Sequence, residues 1–114
     1  MQKHHKINYL EFTTTDILKT KDFYQTAFGW TFTDYGAEYT AFSDGNFDGG
    51  FAKGKITKPG GPIVILYSKN LETSLETVQK CGGIIIKPIF EFPGGRRFHF
   101  TDPSGNELAI WSDL

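Results

Sequence analysis

Arg96-Arg97-Phe98-His99-Phe100-Thr101-Asp102-Pro103-Ser104-Gly105-Asn106-Glu107-Leu108-Ala109-Ile110-Trp111 is the stretch whose reading decides the fold. Two alternating runs flank a tight turn. Phe98 and Phe100 fall on one face of the first run, with Arg97, His99 and Thr101 on the other. Leu108 and Ile110 share a face of the second run, opposite Glu107, Ala109 and Trp111. Period-two alternation marks half-buried strands. Asp102-Pro103-Ser104-Gly105 supplies the turn, with Asp at the first position, Pro preset in φ, and Gly last. The result is a hairpin with one apolar face. Its other face carries Arg97, His99 and Trp111, residue types of binding sites more than of plain solvated sheet.

The chain upstream follows the same logic. Ile7 to Thr13 alternates as a first strand, with Tyr9, Glu11 and Thr13 on one side. Thr15 or Asp16 caps a helix that runs to Phe28, with Ile17, Thr20, Phe23, Tyr24 and Ala27 on one stripe and Gly29 as its C-terminal cap. Short strands follow over residues 30–34, 38–43 and 50–53. Lys58-Pro59-Gly60-Gly61-Pro62 is a break, after which the plan restarts. Ile63 to Ser68 reads as a strand, with Ile63, Ile65 and Tyr67 on one face. Asn70 caps a second helix lined by Leu71, Leu75 and Val78, and Gly82-Gly83 ends it. Strands are expected over residues 84–87, 95–101 and 107–111, with a loop at 88–93. Asp16 matches Asn70 and Gly29 matches Gly83 at one offset, so the chain reads as an internal duplication of strand–helix–strand–strand–strand. A half of roughly 55 residues closes a core poorly alone. The expectation is one domain over 1–114, built from module 1 (about 7–57) and module 2 (about 62–114).

Composition excludes several function classes. Among 114 residues the formal charge is −1 and no basic block occurs, which argues against nucleic-acid binding driven by charge. Phe 11, Tyr 5 and Trp 2 supply large packing units, and Trp30 with most phenylalanines is expected in the core or in a dimer contact. The lone cysteine, Cys81, forms no internal disulfide and no thiolate cluster, and its expected role is inert. With no leader-like or long apolar run, the expected location is cytoplasmic, without membrane contact. His4 and His5 read as a solvated tail, since adjacent strand positions point to opposite faces and chelate poorly together.

Leu10-Glu11-Phe12 through Asp16, then Asp22-Phe23-Tyr24 and Phe28-Gly29-Trp30, resemble the first module of the glyoxalase / bleomycin-resistance / extradiol-dioxygenase superfamily, the vicinal oxygen chelate proteins. Phe100-Thr101-Asp102-Pro103-Ser104-Gly105-Asn106-Glu107-Leu108 resembles its closing hairpin. The resemblance covers the chain from about Ile7 to Trp111. It implies an α+β fold in which two βαβββ modules form a half-open barrel around a cavity, and a tendency to form homodimers. It also implies where a divalent metal would be held. Those positions fall on Tyr9, on Ile63, on Ala109, and on Gly50 or Phe51. None is a good ligand for an ion that needs several oxygen or imidazole donors at roughly 2.0–2.3 Å. No metal and no cofactor is therefore expected.

The inward-facing set on this geometry is Tyr9, Glu11, Ile63, Ile65, Tyr67, Arg97, His99 and Trp111, an apolar-walled pocket with a few polar groups. Plainer readings stand beside it. Glu11 and Arg97 pair with each other, His99 is a satisfied strand histidine, and Trp111 only packs. The first functional reading is a metal-free protein that binds a small, partly aromatic or anionic molecule. The second is a lyase or isomerase resembling lactoylglutathione lyase, with Glu11 or His99 as general base and Arg97 stabilising developing charge. The third is a partner-binding module without a pocket.

Overall fold

Asp16 starts the first helix. Its extended backbone and side-chain oxygen, which accepts from the Lys19 amide at 3.0 Å, cap α1 (Ile17–Phe28). Asn70 does the same for α2 (Leu71–Lys80), accepting from the Thr73 amide at 3.1 Å. The structure, a computed structural model, describes residues 4, 5, 7–55 and 63–114, so the break at Lys58–Pro62 lies outside the described residues. Around the helices run β1 (Leu10–Thr14), β2 (Thr31–Asp34), β3 (Tyr39–Ser43) and β4 (Asp48–Lys53), then β5 (Val64–Tyr67), β6 (Ile84–Phe92), β7 (Gly95–Thr101) and β8 (Glu107–Ser112).

The chain divides into two compact units, Met1–Ile56 and Thr57–Leu114. Each holds one open four-stranded sheet. The orders are β1-β4-β3-β2 and β5-β8-β7-β6, with β1 parallel to β4, β5 parallel to β8, and the other neighbours antiparallel. The two topologies are the same. The fold is α+β, a pair of mixed sheets with one helix each.

The duplication extends to side chains. The Thr14 hydroxyl accepts from the Asp16 amide and meets the Thr20 hydroxyl at 2.6 Å. The Ser68 hydroxyl accepts from the Asn70 amide and meets the Ser74 hydroxyl at 2.7 Å. A constant offset of 54 positions joins the two motifs (14 to 68, 16 to 70, 20 to 74). The offset breaks at the helix ends. The left-handed cap is Gly29 (φ 74°) in the first unit and Gly82 (φ 102°) in the second, so Gly29 corresponds to Gly82 rather than to Gly83. Trp30 and Gly83 then donate back to Tyr24 and Val78 as the second members of these caps. The shorter α2 accounts for the shift.

Each helix claims one face of its sheet. In the first unit Phe23 and Tyr24 are buried with Trp30, Phe42 and Phe51. Trp30 stacks between Tyr24 and Phe42 with 4.6 Å to each centroid, which places it in the core. In the second unit Leu71 and Val78 are buried with Phe98, Phe100, Leu108 and Ile110. Burial of such side chains stabilises by roughly 1.5–3 kcal/mol apiece. His4 and His5 are exposed, as expected of a solvated tail, but lie in a turn with rings stacked at 3.8 Å rather than on opposite faces of a strand. No helix among the described residues is long and apolar enough to cross a membrane.

The closing turn is held by a buried carboxylate. Asp102, 2% exposed, accepts from the Ser104 and Asn106 amides at 3.0 and 2.9 Å and from Asn106 Nδ2 at 3.1 Å. Asp102→Ala is expected to destabilise the protein by about 2–3 kcal/mol, because three donors lose their partner at a buried point. Asp16→Ala, at a half-buried cap whose side chain accepts from the Lys19 amide, is expected to cost about 1 kcal/mol. Urea unfolding midpoints check the order, and a smaller loss at Asp102 than at Asp16 would contradict it.

Candidate functional site

Strand pleat sets the chemistry of the free face in the second unit. Phe98 and Phe100 turn toward α2, so Arg97, His99 and Thr101 take the opposite side of β7. The register sets Arg97 beside Trp111 and His99 beside Ala109 on β8, while Ile65 and Tyr67 on β5 lie beside Ala109 and Trp111. Ile63 precedes β5 and is half-buried. His99 is only 5% exposed. Its Nδ1 lies 2.9 Å from Glu107 Oε2. A carboxylate only accepts, so Nδ1 carries a proton, and in the neutral ring the lone pair falls on Nε2. That Nε2 is buried and has no hydrogen-bond partner among the described residues, and the same holds for Arg97 Nε.

Aromatic rings wall this face. The Phe90 ring stacks on His99 at 5.8 Å and 30°, and the Arg97 guanidinium carbon lies 5.4 Å from the same ring. Phe92 also lies against Arg97, at 5.5 Å, and against Trp111, at 6.3 Å. Tyr67 meets Trp111 edge-on at 5.2 Å and donates its hydroxyl to Asp113 at 2.7 Å, a bond that pushes the phenol's pKa up. Phe90 and Phe92 fall in the segment expected to be a loop, and that expectation is corrected: β6 runs through Pro88 to Phe92. Two register shifts, at Ile85/Lys87 and Lys87/Phe90, each place an extra residue in β6. Two extras restore the original parity, so Phe90 and Phe92 return to the Arg97 face. Pro88 is tolerated because β6 is an edge strand and the residue sits in an irregularity.

The free face of the first unit is different. Tyr9 and Tyr39 bring their hydroxyls to 2.6 Å, and Tyr39 donates to Glu11 Oε1 at 3.2 Å. Burial first, then the bonds to Tyr9 and to the Glu11 carboxylate, push the Tyr39 pKa well above the usual tyrosine range. Gly50 lies opposite Glu11 and Ala41 on the neighbouring strands, directly beneath the two hydroxyls. A Cβ there would collide with the Tyr39 hydroxyl and stand 2.6 Å from that of Tyr9. Beside them a crevice of about 240 Å³ is lined by Tyr9, Thr31, Thr33, Ala41, Ser43 and Asp48, among others.

Sequence reasoning thus named Tyr9, Glu11, Arg97, His99 and Trp111 but missed the groups that join them. Tyr39 and Glu107 lie on the correct parity, and the alternation of β3 and β8 was enough to nominate both. The Glu11–Arg97 pair expected from sequence would join the two units and stays an expectation. Within its own unit, Glu11 takes the Tyr39 hydroxyl and Arg97 lies against Phe90 and Phe92.

Gly50 rather than Phe51 occupies the face that Tyr9 shares, since Phe51 is fully buried against Tyr24 and Phe12. The four positions where the resemblance places metal ligands are therefore Tyr9, Gly50, Ile63 and Ala109. Only Tyr9 offers a donor atom, and its hydroxyl is engaged by Tyr39. Among the described residues no three His, Cys, Asp or Glu side chains stand grouped to hold a metal ion. Arg96 is likewise committed elsewhere: its guanidinium holds Glu72 at 2.6 and 3.3 Å and the Leu114 carbonyl.

Gly50→Ala should separate the Tyr9 and Tyr39 hydroxyls and cost about 1–3 kcal/mol from overpacking. The stability linked to Tyr39 is present below the ordinary tyrosine value of about 10 and is lost as pH rises toward the higher folded value. Absorbance titration should find Tyr39 ionising above the ordinary tyrosine range, with Gly50→Ala lowering its value as the bonds to Tyr9 and Glu11 are lost. An unchanged titration in the variant would contradict the arrangement.

The comparisons with known proteins agree with this frame. Residues 6–110 match the Glyoxalase/Bleomycin resistance protein/Dioxygenase superfamily. The anthracycline biosynthesis protein DauV of Streptomyces sp. (strain C5) is 31% identical over 124 aligned positions, which cover 90% of this chain and 45% of that protein. The chain thus spans about half the length of this curated relative. A glyoxalase/bleomycin resistance protein/dioxygenase family enzyme from Burkholderia phytofirmans PsJN superimposes with a TM-score of 0.82 at 18% identity, covering 94% of this chain and 98% of its own. The fosfomycin resistance protein FosX from Mesorhizobium loti gives a TM-score of 0.77 at 14% identity, covering 97% and 93%. The duplicated βαβββ units, matched over nearly their whole length, belong to a member of the Glyoxalase/Bleomycin resistance protein/Dioxygenase superfamily.

Proposed function

We propose that this chain is a small-molecule-binding protein that takes a partly aromatic ligand without a metal ion, using Arg97 and His99 as its polar contacts. The observation that carries the reading is the pair of buried, unpartnered nitrogens, Arg97 Nε and His99 Nε2, set among Phe90, Phe92 and Trp111. A buried polar atom without a partner costs roughly 1–3 kcal/mol. A ligand that satisfies both recovers that cost on binding, and the rings supply apolar area for a planar molecule. The family match makes small-molecule binding the default, and the relative named for anthracycline biosynthesis favours an aromatic ligand.

A second reading adds turnover, as a lyase or isomerase with either His99, on this face, or Glu11, on the free face of the first unit, as general base. It is favoured by the Glu107–His99 bond, which leaves a basic nitrogen free. Whichever of the two acts as base, its variant, Glu11→Gln or His99→Gln, should abolish turnover, and catalysis that survives both would remove this reading. A homodimer is also proposed, since Ile84 and Ile86 are exposed on the edge strand β6. Sedimentation at the monomer mass would contradict it.

Quenching of tryptophan fluorescence by 2-methoxyanthraquinone, a planar probe, tests the binding reading. The expected result is saturable binding that chelators leave unchanged. Arg97→Met, which keeps the packing stem, should weaken binding about tenfold, the worth of one hydrogen bond to a charged donor. Binding that disappears with a chelator and returns with a divalent ion would overturn the metal-free reading.

A further inference from the structure

We propose that Glu107 is a positioning residue that fixes His99 as a proton acceptor, and that the site selects ligands bearing an acidic hydroxyl, a phenol or an enol. The inference rests on the binding reading above and names the ligand chemistry of that same face. Three observations carry it. The first is the 2.9 Å contact between His99 Nδ1 and Glu107 Oε2, which in the neutral ring puts the proton on Nδ1 and the lone pair on Nε2. The second is that this Nε2 is buried and unpartnered, as is the Arg97 Nε–H. The third is that one ring, Phe90, holds both groups, stacked on the imidazole and lying under the guanidinium.

The site therefore offers one acceptor and one donor from positions 97 and 99 of the same strand face, both against the Phe90 ring. A hydroxyl complements that pair, because it donates its proton to Nε2 while its oxygen accepts from Arg97. A carboxylate is a poorer match: it satisfies Arg97 but sets its lone pairs against the lone pair of Nε2. A methyl ether or bare ring leaves Nε2 without a donor. The charges also suit a hydroxyl that gives up its proton. As the ligand O–H bond breaks and the Nε2–H bond forms, the electron pair stays on the oxygen, beside the Arg97 guanidinium. The new imidazolium lies against the Glu107 carboxylate. Net charge is unchanged, and no oxidant or further reactant is needed. Lys87 on the adjacent β6 pairs with His99 in register, and its Nζ lies 5.9 Å from the Phe90 centroid.

The test uses the full chain with three probes: 2-hydroxyanthraquinone, 2-methoxyanthraquinone and anthraquinone-2-carboxylate. Absorbance is read on the bound fraction, at a pH below the free hydroxy probe's own ionisation. The expected result is the long-wavelength band of the ionised hydroxyl in the bound hydroxy probe, with binding about tenfold tighter than for the other two. Glu107→Gln should remove the band from the bound probe, and Glu107→Asp should restore part of it. Equal binding of the three probes with no oxyanion band would overturn the hydroxyl proposal while leaving the binding reading intact. Binding of none of them would overturn both. A measurement on the free protein covers the case of misfolded variants: ¹⁵N NMR of His99 should find the proton on Nδ1, and a proton on Nε2 would overturn the positioning role.

Discussion

One helix against one face of one sheet is the constraint from which the remaining features follow. The pleat allows a strand only two directions for its side chains. Once α2 buries Phe98, Phe100, Leu108 and Ile110, the residues between them have no choice but the other side. Arg97, His99, Glu107 and Trp111 are gathered there by parity, before any contact among them is considered. The same division in the first unit sends Phe12, Phe42 and Phe51 toward α1 and leaves Tyr9, Glu11 and Tyr39 on the free face.

Two copies of one topology have kept their frames and parted in their faces. The hydroxyl–cap–hydroxyl motif at the start of each helix is conserved between the units down to its hydrogen bonds. The free faces share nothing of the kind. The first is built of Gly50, Ala41 and Ala52 under a tyrosine pair, and the second of aromatic rings around two nitrogen groups. Frame residues answer to packing, which both halves need equally. Face residues answer to ligand chemistry, which a fold does not prescribe.

Those two demands explain what could be read from the chain alone. The helix caps, the strand parity of the final hairpin and the duplication follow from local rules, and the family match spans them. The long β6 was hidden because Pro88 reads as a stop signal, whereas an edge strand with two bulges accommodates it. Phe90 and Phe92, which wall the site, were lost with it. Gly82 and Gly83 are indistinguishable as caps in a sequence, and only the left-handed backbone of Gly82 separates them. The choice between Gly50 and Phe51 needed the register of β4 against β1, a non-local pairing that periodicity does not report. Glu107 had the right parity, but a glutamate at a strand start reads as a solvated residue until a partner is seen.

A crystal structure of the chain with 2-hydroxyanthraquinone tests the central claim most directly. The account predicts the probe's hydroxyl oxygen within about 2.6–3.2 Å of both His99 Nε2 and Arg97 Nε, with the ring system against Phe90 and Trp111. A probe seated elsewhere, for example in the crevice beside Tyr9, with Arg97 and His99 untouched, would contradict it.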